Sequence, residues 1–265
     1  MMINNYPYQI FLTKNDARPC QWLLLHGFMG SHHDFDDIKL DLPGEVLTVD
    51  LLGFGSRVPD VVDVSRFKMA NQIDDLRSIL VSLHWQNVNL LGYSMGGRLA
   101  LGFALMYPDL VKNLYLESTT AGLKTVSERQ ARITADEIKA QAILENFPKF
   151  VDNWAQLPLF ETQQLLSSSK KDHIRQQRLS QNPTNVANSL RKMGTGAQPD
   201  FWSKLSDLEI PTQVIVGELD NKFNAIANQM VQLIPNVQKA VIPNAGHNTH
   251  VEQPKLFVEA LNVSN

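Results

Sequence analysis

Short apolar runs bounded by turn residues recur along the chain: Trp22 to Leu25, Val46 to Val49, Val88 to Leu91, Leu114 to Glu117, Thr212 to Val216 and Lys239 to Ile242. Nearly uninterrupted β-rich runs of this length predict strands buried on both faces of a parallel sheet. Tyr8 to Leu12 alternates more and predicts an antiparallel edge strand. Between the runs the period becomes helical. Ile73, Leu76, Leu80 and Leu83 share a face, and Met95 to Tyr107 reads as a helix stopped by Pro108. Asn224 to Ile234 is stopped by Pro235, and Pro254 to Leu261 begins on its proline. Strand and helix alternate, so the class is α/β with a mainly parallel sheet.

One interval breaks the rhythm. After Glu117 the next convincing strand begins only at Thr212, whereas such connections usually run about 2 to 6 residues. The interval carries helix signals of its own. Ser127 with Gln130, and Thr134 with Glu137, match capping boxes. Phe150, Val151 and Trp154 share a helical face, and Val186, Leu190 and Met193 share another that ends at Gly194. Residues 119–204 therefore read as a helical cap inserted over the carboxyl edge of the sheet, with 1–118 and 205–265 as the core.

Composition narrows the partners. A chain of 265 residues, 43% hydrophobic and 19% charged, is long enough to bury a substantial core. A net charge of -3 shows no basic excess for nucleic acid or anionic lipid. The one cysteine, Cys20, excludes an intramolecular disulfide and fits a reducing compartment. Met1 to Leu12 lacks the pattern of a secretory leader, and no apolar run nears the ~20 residues of a membrane span, so a cytoplasmic protein is expected. The adjacent His32 and His33 have no companion ligand run, so neither metal nor other cofactor is expected.

The chemistry is concentrated at Gly92-Tyr93-Ser94-Met95-Gly96, which follows an apolar strand and opens an apolar helix. A serine at such a sharp strand-to-helix turn presents its hydroxyl to solvent, with small residues on either side of the bend. The backbone N–H of Met95 then points at the place where an oxyanion would form. A second donor is expected from the loop His26-Gly27-Phe28-Met29-Gly30, at the N–H of Phe28, with His26 holding the turn. Acid and base should follow the serine in that order. Asp220, just past a strand, is the expected acid, with Glu218 as the alternative; His247 is the expected base, with His250 as competitor.

Arg98 lies one helical turn after Ser94, and helical side chains lean back towards the amino terminus, so its guanidinium reaches the serine's surroundings. It reads either as a clamp for a carboxylate or as the partner of an internal acid such as Glu117. Arg129, Arg132, Arg175, Arg178 and Arg191 add cations in the cap, where solvated surface is the ordinary reading. Trp154 and Phe160 read first as cap core.

At these residues the chain resembles the 2-succinyl-6-hydroxy-2,4-cyclohexadiene-1-carboxylate (SHCHC) synthase branch of the α/β-hydrolase fold, on the menaquinone and phylloquinone pathway. The matching runs are Leu25 to Gly30, Gly92 to Arg98, Leu116-Glu117-Ser118, Gly122-Leu123, Glu128-Arg129, Trp154 with Pro158-Leu159-Phe160, Gln198-Pro199-Asp200, Gly217 to Phe223, and Ala245 to Asn248. The resemblance implies an α/β-hydrolase fold and a lyase that eliminates pyruvate from a small polycarboxylate. It implies Ser94, Asp220 and His247 as the catalytic set and Phe28 and Met95 as oxyanion donors. Tyr93, Arg98, Arg129, Trp154 and Arg178 would be the substrate contacts. From the residues alone two other readings stay open: a carboxylester or carbon–carbon hydrolase with the same triad and cap, and a small-molecule receptor on this fold.

Overall fold

The computed structural model describes residues 20–261 and, near the amino terminus, the backbone of a short antiparallel ladder of Met2–Ile3 against Tyr6–Pro7. The strand expected at Tyr8 to Leu12 lies outside the described residues. Six strands form the main sheet: β1 Gln21–Leu25, β2 Glu45–Val49, β3 Val88–Tyr93, β4 Val111–Glu117, β5 Thr212–Gly217 and β6 Val237–Ile242. Their spatial order is β2-β1-β3-β4-β5-β6, and every neighbouring pair is parallel.

The period-2 geometry of a strand explains why the inner runs are apolar on both faces, while β6, at the sheet edge, keeps Gln238 and Lys239. Leu23 and Leu25 of β1 face one core cluster, with Leu90, Leu114 and Val214. Trp22 and Leu24 face a second cluster with Leu91, Tyr115 and Ile215. Helices α1 (Met69–Ser82), α2 (Met95–Met106) and α7 (Asn221–Val231) contribute to the first. The second is closed by Phe35, Ile38 and, from helix α8 (Pro254–Ala260), Phe257.

Between β4 and β5 lie α3 (Val126–Glu145), α4 (Phe147–Ala155), a 3-10 segment Pro158–Leu165, α5 (Ser168–Leu179) and α6 (Pro183–Met193). Two expected helix starts are corrected here. The capping box is Thr125 with Glu128, and α3 runs unbroken through both Ser127 and Thr134. Thr134 bonds its hydroxyl to the carbonyl of Gln130, the in-helix use of a residue that elsewhere caps. Gly194 follows α6 as expected, but at φ -58 rather than in the left-handed region. Its need for glycine is steric: a Cβ there would lie 2.4 Å from both Asp136 Oδ2 and the carbonyl of Leu190.

The chain leaves β1 towards β2 and leaves β3 towards β4, on opposite sides. Loops at the carboxyl ends of these two strands therefore diverge and leave a crevice, the usual ligand position in an open α/β sheet.

Candidate active site

Ser94 sits at the mouth of that crevice with φ 50 and ψ -104, backbone that a non-glycine residue adopts only when its surroundings force it. Its N–H donates to the carbonyl of Glu117 on the neighbouring strand at 2.9 Å. Gly96 allows the helix to start against β1, since a Cβ would stand 2.1 Å from the carbonyl oxygen of Leu25. Ser94 Oγ lies 3.1 Å from His247 Nε2, and His247 Nδ1 lies 2.8 Å from Asp220 Oδ2. The carboxylate can only accept at Nδ1, so that nitrogen carries the proton and Nε2 is left to accept from the serine hydroxyl. Asp220 Oδ1 accepts from the N–H of Phe223 as the cap of α7, which fixes the carboxylate. Glu218 accepts from the N–H of Asn244 away from His247.

His250, the other candidate base, is turned inward. Its Nδ1 lies 2.6 Å from Glu117 Oε2, and its ring stacks on Phe35. Glu117 also accepts from the hydroxyl of Thr249 and the N–H of His250. Through its backbone carbonyl and its carboxylate, this one residue joins the serine's bend to the loop after His247. Sequence reasoning weighed Glu117 only as a partner for Arg98. The missed signal was an acid closing an otherwise apolar strand, where burial demands partners.

Phe28 and Met95 both line the cleft beside Ser94. Met95 is the first residue of α2, so its N–H has no partner within the helix. His26 holds the Phe28 loop with both ring nitrogens: Nδ1 lies 2.7 Å from the carbonyl of Gly27, and Nε2 accepts from the N–H of Leu51. Burial lowers its pKa, which keeps Nε2 free of a proton as that bond requires. From the cap, Gln181 Nε2 donates to the carbonyls of Met29 and Gly30 and clamps the same loop from outside.

The cleft encloses about 440 Å³, within the range of small-molecule sites. Tyr93, Arg98, Trp154 and Arg178 line it, with Phe160, His247 and Lys222. Trp154 packs between Phe28, Phe150 and Phe160, and its buried Nε1 has no hydrogen-bond partner. Tyr93 is buried, and burial, followed by the charge of Glu117, pushes its phenol well above the ordinary value, so it remains a proton donor. The Arg178 guanidinium stands 5.5 Å over the ring of Phe160.

Arg98 is only 7% exposed. It does not pair with Glu117; one nitrogen donates to the carbonyl of Met193 at 2.8 Å and to Gln198 Oε1 at 2.5 Å. Arg129 is the expectation that the structure corrects. It lies in the first turn of α3, and its side chain leans back past the helix end to the carbonyls of Leu123 and Lys124. The cleft is lined instead by Arg132, one turn further on, whose Nε is held by Asp136 at 2.7 Å. A signal was present: Asp136, Ala140 and Ile143 form the buried stripe of α3, and Arg132 continues it by one turn.

The alpha/beta hydrolase fold family matches residues 23–254. A protein of Bacillus subtilis (strain 168), provisionally named 2-succinyl-6-hydroxy-2,4-cyclohexadiene-1-carboxylate synthase, is 42% identical over 88% of this chain and 85% of its own length. The synthase of that name from Enterobacter sp. (strain 638) is 32% identical over 91% and 90%. The structure of MenH from S. aureus superposes with a TM-score of 0.89 at 33% identity, covering 95% of both chains. The chain thus has the α/β-hydrolase fold and belongs, within it, to the 2-succinyl-6-hydroxy-2,4-cyclohexadiene-1-carboxylate synthase family.

Proposed function

We propose that this protein is a lyase that eliminates pyruvate from 2-succinyl-5-enolpyruvyl-6-hydroxy-3-cyclohexene-1-carboxylate and leaves the 2,4-cyclohexadiene product. The observation that carries the reading is a hydrogen-bonded Ser94–His247–Asp220 array opening into a cleft with buried arginines, one of which, Arg98, is held by no carboxylate. A site for neutral esters gains nothing from a desolvated cation, and burying one is costly. A substrate with several carboxylates supplies the missing counter-charge.

In this reading His247 accepts the hydroxyl proton of Ser94, and the serine oxygen takes the proton from the ring carbon that bears the succinyl ketone. The resulting negative charge spreads onto the ketone oxygen, where the N–H groups of Phe28 and Met95 receive it. The electron pair then moves through the ring double bond and expels the enolpyruvyl oxygen. Protonation of the released enol carbon yields pyruvate. No acyl-enzyme forms and no water attacks. Arg98, Arg132 and Arg178 hold carboxylates, while Tyr93 and Trp154 offer donors and an apolar wall. Residues 119–204 serve as the cap that brings Arg132, Trp154 and Arg178 over Ser94. No helix of the described residues is long and apolar enough to cross a membrane, and a cytoplasmic site of action fits the single cysteine.

The test is pyruvate release from the enolpyruvyl precursor by the full chain, with Ser94→Ala beside it. Wild type should release one pyruvate per diene formed, and the variant should lose roughly 10²- to 10⁴-fold in kcat. A wild-type protein that releases no pyruvate, or a variant that retains full activity, defeats the assignment.

A further inference from the structure

Gln198 touches neither Ser94 nor His247, yet it occupies a decisive position. Its side chain is 3% exposed, and its Oε1 accepts from the same Arg98 nitrogen that reaches the carbonyl of Met193. The other end of the amide is fixed as well: Nε2 donates to the carbonyl of Pro199 at 3.3 Å and packs against Gly122, where a Cβ would stand 2.8 Å away. Both acceptors of Arg98 are therefore neutral oxygens. The carboxylate that sits nearest in the network, Asp136, is engaged by Arg132 and by Lys139.

Buried arginines are normally paired with carboxylates, because an uncompensated charge out of water is unfavourable. Glutamate has the same heavy-atom outline as glutamine, so the two differ here in charge and in the N–H that donates to Pro199, which a carboxylate would replace with a second acceptor. A carboxylate here would form a short charged pair with Arg98 and occupy it permanently. A neutral oxygen orients the guanidinium while leaving its charge to be neutralised by whatever enters the cleft.

We propose that Gln198 is a specificity-determining residue that acts through Arg98: it holds the cation in place without neutralising it, and so reserves it for a carboxylate of the substrate. The inference rests on the polycarboxylate reading given above. It also implies that the site exchanges stability of the empty protein for affinity towards anions.

The experiment compares wild type, Gln198→Glu and Gln198→Met, each as the full chain at pH 7, by ligand-free Tm and by KM and kcat for pyruvate release. Both variants lose the amide bond to Pro199, so Gln198→Glu should melt about 2 to 4 °C above Gln198→Met, as expected for one added favourable interaction in a domain of this size. Its KM should rise roughly 10- to 100-fold, with kcat within about threefold, as expected for loss of one charge-assisted contact to substrate. Gln198→Met keeps the bulk but loses both the acceptor and the donor; its Tm should fall below wild type and its KM should rise by less than about fivefold. A wild-type KM in Gln198→Glu, or an equal rise in both variants, overturns the proposal, because charge would then not be what matters. Should wild type release no pyruvate, the reaction assignment fails, while the ligand-free Tm still decides the clamp: a Tm of Gln198→Glu above that of Gln198→Met supports it, and one at or below it overturns it.

Discussion

Arg98 is held between two demands. Burial pushes its pKa down, as does the neighbouring Arg132, while Asp136 pulls it back, and the balance lowers it to about 9. It remains a cation at neutral pH, which is the form that binds a carboxylate. The sign of the pH dependence follows: binding competence is complete well below 9 and is lost as pH rises through about 9. KM for the polycarboxylate should thus stay flat between pH 7 and 8 and climb above about pH 9. Gln198→Glu, by giving the guanidinium a negative partner, should move that rise to higher pH. A KM that stays level to pH 10 in wild type would mean either that Arg98 keeps its charge there or that it lies outside substrate binding. Arg98 was readable from sequence because the bend fixes where its helix begins, so a residue four positions on has a determined direction. Arg129 and Arg132 were not separable in the same way. The sequence offered two starts for their helix, at Ser127 and Thr134, neither of them the actual cap Thr125, and a shift of two residues in the start turns a different arginine towards the cleft.

At the scale of elements, the strand ends and the tight contacts between them decide the geometry. The strands β1 to β5 were legible because both faces of each are covered, which strips polar residues from most of their positions and makes the runs conspicuous, whereas β6, at the sheet edge, is half-exposed and keeps Gln238 and Lys239. The bend after β3 was legible because its glycines answer to backbone contacts that no other residue satisfies. Gly96→Ala tests this directly. The added methyl would meet the carbonyl of Leu25 at 2.1 Å, and neither β1 nor α2 is free to retreat, since both sit within the core. The variant should lose about 1 to 3 kcal/mol of stability, the usual range for overpacking. Denaturant titration measures that loss, and kcat should fall with it as Ser94 shifts relative to the Phe28 loop. A variant of wild-type stability and rate would mean that the contact relaxes freely. The link from Glu117 to Thr249 and His250 was hidden from sequence for the opposite reason: it joins residues 132 and 133 positions apart, and no local pattern encodes such a meeting.

The whole molecule assembles its site from three stretches of chain that are distant in sequence. In the proposed reaction the base Ser94 and the oxyanion donors Phe28 and Met95 come from the first stretch, Asp220 and His247 from the last, and Trp154, Arg132 and Arg178 from the helices between. Such an arrangement works only if the intervening helices are docked in register with the loops beneath. Among the contacts that make that docking, two glutamines differ in what they hold. Gln177 reaches Ser31 and Asp34, beyond the oxyanion loop. Gln181, buried, donates to the carbonyls of Met29 and Gly30, within the turn that aims the N–H of Phe28. If Gln181 fixes that turn, its loss alters charge stabilisation in the transition state more than it alters ground-state binding. Gln181→Leu should therefore lower kcat by about 3- to 10-fold with KM nearly unchanged, an effect smaller than the ~10²-fold of removing an oxyanion donor outright because the N–H survives and is only misaimed. Gln177→Ala, which loosens the end of α5 without touching the turn, should leave kcat within about twofold. Steady-state kinetics on the two variants separates the cases: equal losses would assign the effect to docking of the cap in general, and a loss confined to Gln181→Leu assigns it to the turn that carries Phe28.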